Sequence, residues 1–169
     1  MQILLLTSLA RIGDVVASLW RRHGHDVDCG DALALDNADF ASRAGAAAVI
    51  VWADAPLRDD ELARLQAGRR AVPLIDLSYL LTPGAARKDI LPPGSAGSGY
   101  VLCLPAPQAQ AAAEPQRTLP LVMVCGDDPA ARRIAMELLP ALGRKAVEIG
   151  PLRALRYMDK DTARMLALA

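Results

Sequence analysis

The sequence predicts an α/β fold, a doubly wound parallel sheet in a single domain, on three observations. Short apolar runs without polar alternation recur along the chain, as strands covered on both faces require. Stretches of helical periodicity separate them, which points to strand–helix–strand crossovers. The 169 residues suffice for one hydrophobic core and are few for two.

The elements follow in order. Ile3 to Leu6 is a buried strand ending in Thr-Ser, and Ile12, Val15, Val16, Leu19 and Trp20 recur at helical spacing. That helix closes on Arg21-Arg22-His23-Gly24, the basic residues and glycine favoured at a carboxyl end. Val27 lies in a second strand, which Asp26 and Asp28 make polar and edge-like. Residues 40–48 form a short helix, 47–52 a buried strand, and Asp59 caps a helix running to Gln66 with Leu62 and Leu65 inward. Strands follow at 72–77, 100–104 and 119–125. A helix over 129–142 starts with Asp-Asp-Pro and stops at Gly143, 145–149 is the last strand, and 152–169 is a terminal helix. Its apolar Leu152–Leu168 stripe is expected to make the protein a homo-oligomer. Residues 82–99 and 105–120, rich in Pro, Gly, Ser, Ala and Gln, read as long loops.

Composition narrows the function classes. Hydrophobic residues make up 53% and charged residues 22%, which excludes a disordered chain. Nineteen basic residues balance nineteen acidic ones, so no net field draws the protein to nucleic acid or an anionic membrane. No run is long enough for a membrane span or a signal segment. The three cysteines are odd in number and contain no Cys-x-x-Cys pair, so a reducing cytoplasm is the expected compartment and no thiolate metal site is signalled.

The segment with the most chemical content is the first turn, Thr7-Ser8-Leu9-Ala10-Arg11-Ile12-Gly13. A strand, a tight turn and a helix are the parts of a Rossmann-like dinucleotide site, in which glycines let the backbone approach a pyrophosphate at the helix amino end. Here only Gly13 remains, with Leu9 and Ala10 at glycine-like positions. Two readings stay open. Thr7, Ser8, Ala10, Arg11, Ile12 and Gly13 hold phosphate with hydroxyls and a guanidinium, or the turn only joins a strand to a helix. Asp31, eighteen residues beyond Gly13, is the candidate for the ribose hydroxyls, with Asp28 as the alternative. With no arginine beside it in the sequence, this carboxylate favours an unphosphorylated ribose.

The opening stretch through Val27 and the later "LVMVCGDDPAARRIAMELLPALGRKAVEIGPLRALRYMD" together resemble the F420-dependent NADP reductase family, whose Rossmann domain is related to that of pyrroline-5-carboxylate reductase. The resemblance covers residues 1–28 and 119–158 and is thinner between them. It implies hydride transfer between NAD(P) and a deazaflavin- or flavin-like acceptor, with catalysis by positioning of two rings. It places Trp52, Ala53 and Asp54 beside the nicotinamide and assigns no catalytic side chain. Asp31-Ala32 stands where the family has a Ser-Arg pair for the 2′-phosphate, and "TSLARIG" replaces its glycine-rich turn. Two function classes follow: a nicotinamide-dependent reductase, and a non-catalytic relative using the fold as a binding or scaffold module.

Four smaller features carry structural readings first. His23 and His25 flank a glycine at a helix end with no third ligand nearby. Tyr157 and Lys160 are spaced by three, not the four of a reductase tyrosine–lysine pair. Cys125 precedes a helix amino terminus where a thiolate is stabilised, yet no histidine accompanies it. Asp127 and Asp128 suit capping and the helix dipole.

Overall fold

The structure is a computed structural model and describes residues 1–32, 37–69, 71–81, 99–106 and 119–157. In chain order its strands are β1 Gln2–Leu6, β2 Asp26–Gly30, β3 Val49–Trp52, β4 Leu74–Asp76, β5 Tyr100–Pro105, β6 Leu121–Gly126 and β7 Lys145–Gly150. The helices are α1 Ala10–Arg22, α2 Asn37–Ala46, α3 Asp59–Arg69, the single-turn α4 Ser78–Leu81, and α5 Pro129–Leu138. The strands form one seven-stranded sheet in the order β2-β1-β3-β4-β5-β6-β7. The order reverses at β1, so consecutive crossovers leave on opposite faces and the sheet is doubly wound.

Odd and even strand positions supply two separate cores. Ile3, Leu5, Val49, Val51, Ile75, Val101 and Val124 face Val16, Ala17 and Trp20 of α1 and Ala131, Ala135 and Leu138 of α5. Leu4, Leu6, Ile50, Trp52, Leu74 and Leu102 face Phe40 and Ala44 of α2 and Leu62 and Leu65 of α3. The five strands β1, β3, β4, β5 and β6 are buried on both sides, which is why their runs show no polar alternation. The indole N–H of Trp20, in the closed interior, donates to the Leu138 carbonyl at 3.0 Å and so ties α1 to α5.

Two sequence expectations are corrected, and one strand proves more exposed than the others. The sheet is not wholly parallel: β5 and β6 run antiparallel, with Val101 opposite Gly126 and Leu104 opposite Met123, and β7 is parallel to β6. A buried apolar run carries no signal of strand direction, so pattern alone cannot report the reversal. The last strand is half-exposed, because β7 is a sheet edge. Finally, the start of the expected terminal helix is a 3-10 turn, Leu152–Tyr157; residues 158–169 of that helix lie outside the described residues. The helix at 59 extends to Arg69, and the one at 129 changes to a 3-10 turn over Leu139–Leu142, where Pro140 interrupts it. Of the two expected long loops, residues 82–98 and 107–118 lie outside the described residues.

Gly13 has a packing role. A Cβ built on it comes within 2.8 Å of Thr7 Cγ2, so α1 crosses the end of β1 at a separation that only glycine permits. Gly13→Ala is expected to destabilise the fold by about 1–3 kcal/mol, as overpacking of a filled site does. Thr7→Ser removes the clashing methyl and keeps the hydroxyl. The double variant Thr7→Ser/Gly13→Ala should therefore recover most of the loss in urea melts, and equal, additive losses would show that the two residues do not press on each other.

Candidate functional site

Reversal of strand order at β1 opens a crevice between the carboxyl ends of β1 and β3, the place where open α/β sheets hold ligands. One backbone bond closes the floor of that crevice, Ala53 N–H donating to the Leu6 carbonyl at 2.9 Å, and on the far side of β3 Leu77 N–H donates to the Trp52 carbonyl at the same distance. Above it runs the turn Thr7–Leu9 into α1. The sequence-predicted residues Thr7, Ser8, Ala10, Arg11, Ile12, Gly13, Ala53 and Asp54 are thus brought to one neighbourhood by β1, α1 and β3.

Two donors of this turn are committed within the protein. Ser8 N–H donates to the Asp54 carboxylate, across 46 residues of sequence. The second Asp54 oxygen accepts from Ala55 N–H at 2.7 Å, and the side chain is only 9% exposed. Leu9 N–H donates to the Thr7 hydroxyl at 3.0 Å, a local turn in which Thr7 is itself buried. The carboxylate stands at the amino end of α1, which has no acidic residue in its first turn and no side-chain cap on Leu9, so it occupies the place where the helix dipole favours negative charge. Ala10 and Arg11 are exposed, and Ile12 packs partly into the core. Trp52 turns away: it is 2% exposed within the α2–α3 core, and its indole N–H donates to the Ala55 carbonyl at 2.7 Å.

At the end of β2 the structure adds a residue that the sequence did not associate with it. The expectation that no arginine accompanies the β2 carboxylates is corrected, because Arg43 of α2 reaches over the strand. Its guanidinium holds both Asp28 carboxylate oxygens at 2.7 Å and the Cys29 carbonyl at 2.7 Å. Asp31 and Arg43 line one cleft of about 180 Å³ with Leu4, Leu6, Gly30, Asp39 and Phe40. Fifteen residues separate Arg43 from Asp28, and only the α2 crossover joins them. The Arg43 hydrogen bonds hold the Asp28 carboxyl below its ordinary range, against a smaller opposing effect of burial.

Other predicted features are structural. Cys125 is fully buried, and burial pushes its thiol up to about 11 in spite of nearby Arg132. Burial also pushes the Cys103 thiol well above its ordinary value, with Asp76 adding to the effect. This removes the thiolate reading of Cys125, since a reactive thiol needs exposure and a lowered pKa. His23 caps the end of α1, its Nδ1 at 2.9 Å from the Leu19 carbonyl. Among the described residues no cluster of His, Cys, Asp and Glu suits a metal ion. Asp128 caps α5 by accepting from Ala130 N–H at 2.8 Å, while Asp127 accepts from Leu152 N–H at 3.0 Å. Tyr157 ends the last 3-10 turn, and Lys160 lies outside the described residues. The sequence reading missed Asp76, 1% exposed at the end of β4, which accepts from Tyr100 Oη at 2.6 Å and from Ser78 N–H at 2.9 Å. An aspartate ending the apolar run "PLID" was its only signal.

With this geometry in view, the chain can be set beside known proteins. No family model matches it, and no curated protein does. Among solved structures, it is similar to an imine reductase from Bacillus cereus, with a TM-score of 0.55 and 15% identity over 93% of this chain and 58% of that one. An imine reductase from Streptomyces aurantiacus gives 0.52 and 17%, over 92% and 59%. A semialdehyde dehydrogenase NAD-binding protein from Cupriavidus necator, solved with calcium and NAD, gives 0.53 and 9%, over 88% and 63%. The chain thus spans about three-fifths of the length of these proteins. The likeness is one of fold: a doubly wound, Rossmann-type α/β sheet shared with these proteins. Among the described residues no helix is long and apolar enough to cross a membrane.

Two measurements check the site chemistry. In the native protein an aromatic disulfide reagent should titrate one thiol, the exposed Cys29, and all three after denaturation; rapid native reaction of a second thiol would contradict the burial of Cys103 and Cys125. Asp28 has a depressed folded pKa, so its contribution to stability is present above the ordinary aspartate pKa and is lost as pH falls through the folded value. Carboxyl NMR should therefore find Asp28 titrating below ordinary aspartate, and Arg43→Ala should raise it; an unchanged Asp28 in that variant would remove Arg43 as the cause.

Proposed function

We propose that this chain is a reductase-like Rossmann domain that does not hold a dinucleotide at its switch point, a non-catalytic binding or scaffold relative of the NAD(P)-dependent reductases. The observation that carries this reading is the hydrogen bond from Ser8 N–H to Asp54. A pyrophosphate at this turn needs open backbone donors and positive potential. Ser8 N–H is given to a carboxylate and Leu9 N–H to the Thr7 hydroxyl. Two donors of the turn are therefore taken and a carboxylate stands beside the helix end, which supports a turn that does not hold the group, and no hydride-transfer step is assigned to these residues.

Magnitude favours exclusion over mere weakening. Two like charges about 4 Å apart repel by about 4 kcal/mol at the effective dielectric of a protein surface, roughly a thousandfold in affinity for each phosphate charge. Leu9 and Ala10 add side chains where glycines leave room for phosphate. Trp52, buried with its N–H occupied, offers no ring edge to a nicotinamide. The strand–turn–helix start and the 119–158 stretch support descent from a domain of the F420-dependent NADP reductase type, with Gly13 kept for packing.

Calorimetric titration with NADPH and NADH tests this. The wild-type protein should give no binding heat at about 1 mM ligand, a concentration that detects interactions of about −4 kcal/mol. Asp54→Asn, which keeps an acceptor for Ser8 N–H and removes the charge, should bring weak binding within reach. Micromolar affinity of the wild type for either nucleotide would overturn the proposal.

A further inference from the structure

The two edges of the sheet are finished differently. Along β2, Asp26 N–H donates to the Met1 carbonyl and the Gly30 carbonyl accepts from Thr7 N–H, so alternate residues Val27 and Cys29 point their backbone groups away from the sheet. Both outward carbonyls are taken by arginines from opposite faces. Arg21 of α1 donates to Val27 at 2.6 Å and Arg43 of α2 to Cys29 at 2.7 Å. No incoming strand can use those acceptors without displacing a guanidinium, so this edge is closed to pairing.

At the other edge Lys145 N–H donates inward to the Pro120 carbonyl at 3.0 Å, so Ala146 and Glu148 face outward. Among the described residues no side chain covers their backbone carbonyls. Exposed apolar side chains gather here too: Leu119, Leu121, Val147 and Ile149 are four of the seven large exposed hydrophobics of the described residues. An open strand edge beside an apolar surface is a surface for strand addition.

We propose that a second copy of this chain occupies this edge, its β7 pairing antiparallel to the first across a twofold axis through Ala146. This register makes the strand self-complementary. Arg144 of each copy stands opposite Glu148 of the other, whose half-exposed carboxylate accepts from Arg132 of its own chain at 2.7 Å and keeps its second oxygen for the partner, and the aliphatic stem of Lys145 lies against Val147, pairings that stabilise an antiparallel ladder. The neighbouring registers are poorer. An axis at Glu148 opposes like charges, and an axis at Val147 carries the pairing across the irregularity between Glu148 and Gly150. The resulting isologous dimer has one continuous sheet of two copies, closed at both outer ends by the arginine-covered β2 edges.

Sedimentation and cysteine cross-linking test the edge and the register. The full chain should sediment as a dimer at about 100 µM, a concentration that populates interactions of about −5.5 kcal/mol. Ala146→Pro removes an outward N–H that bonds to nothing within the sheet, so it should yield a monomer with a circular dichroism spectrum and melting temperature near wild type. In a Cys29→Ser background, cysteine at 146 should form an intermolecular disulfide on mild oxidation at least tenfold faster than cysteine at 147 or 148, because only the axial residue meets its own copy. A monomeric wild type, a dimeric Ala146→Pro variant, or fastest cross-linking at 147 or 148 would overturn the proposal. The cross-linking series uses substitutions closer to the native side chains and so decides the matter if the proline variant does not fold.

Discussion

Asp54 is the constraint on which the rest of the site depends. It leaves the end of β3, crosses the crevice between β3 and β1, and binds the turn that begins α1. One oxygen holds Ser8 and the other holds its own neighbour Ala55, so the carboxylate is oriented from both sides. A negative group at the amino end of a helix is favoured by the helix dipole, and this one supplies it without being part of the helix. The turn at the carboxyl ends of β1 and β3 is thereby braced by an internal anion. Gly13 serves the same joint by its close contact with Thr7, which does not depend on a ligand.

A second set of charged groups manages the sheet edges. Arg21 and Arg43 come from helices on opposite faces, yet both end on outward carbonyls of β2. Arg43 also neutralises Asp28, so a strand made polar by its aspartates is held by cations from outside the sheet. These arginines protect a short edge that β1 alone pairs. Among the described residues no side chain covers the outward acceptors of the opposite edge, beside exposed Val147 and Ile149. The proposed association uses this difference between the edges.

Much of the architecture is legible in the sequence because it rests on local patterns. Apolar runs with no alternation place strands between two layers, and Arg-Arg-His-Gly, Asp-Asp-Pro and Gly143 place helix ends. What the sequence does not carry is long-range geometry. The reversal of β6 leaves no trace in "LVMVC", since a strand buried on both faces reads alike in either direction. The meeting of Arg43 with Asp28 needs the α2 crossover, and that of Tyr100 with Asp76 needs strand register. At the candidate site the turn and Asp54 were both visible as separate segments. Their hydrogen bond was not, and it is the observation that supports the proposed reading of the turn as a joint closed within the protein.

The most direct test of that joint is proton–nitrogen NMR of the Ser8 amide, compared between the wild type and Asp54→Ala and followed through addition of NADPH. The Ser8 and Ala55 amides should shift together when the carboxylate is removed, and in the wild type neither should respond to the nucleotide. A Ser8 amide that is unmoved by Asp54→Ala and moves with NADPH would mean that the donor is open to phosphate and that the crevice is a dinucleotide site.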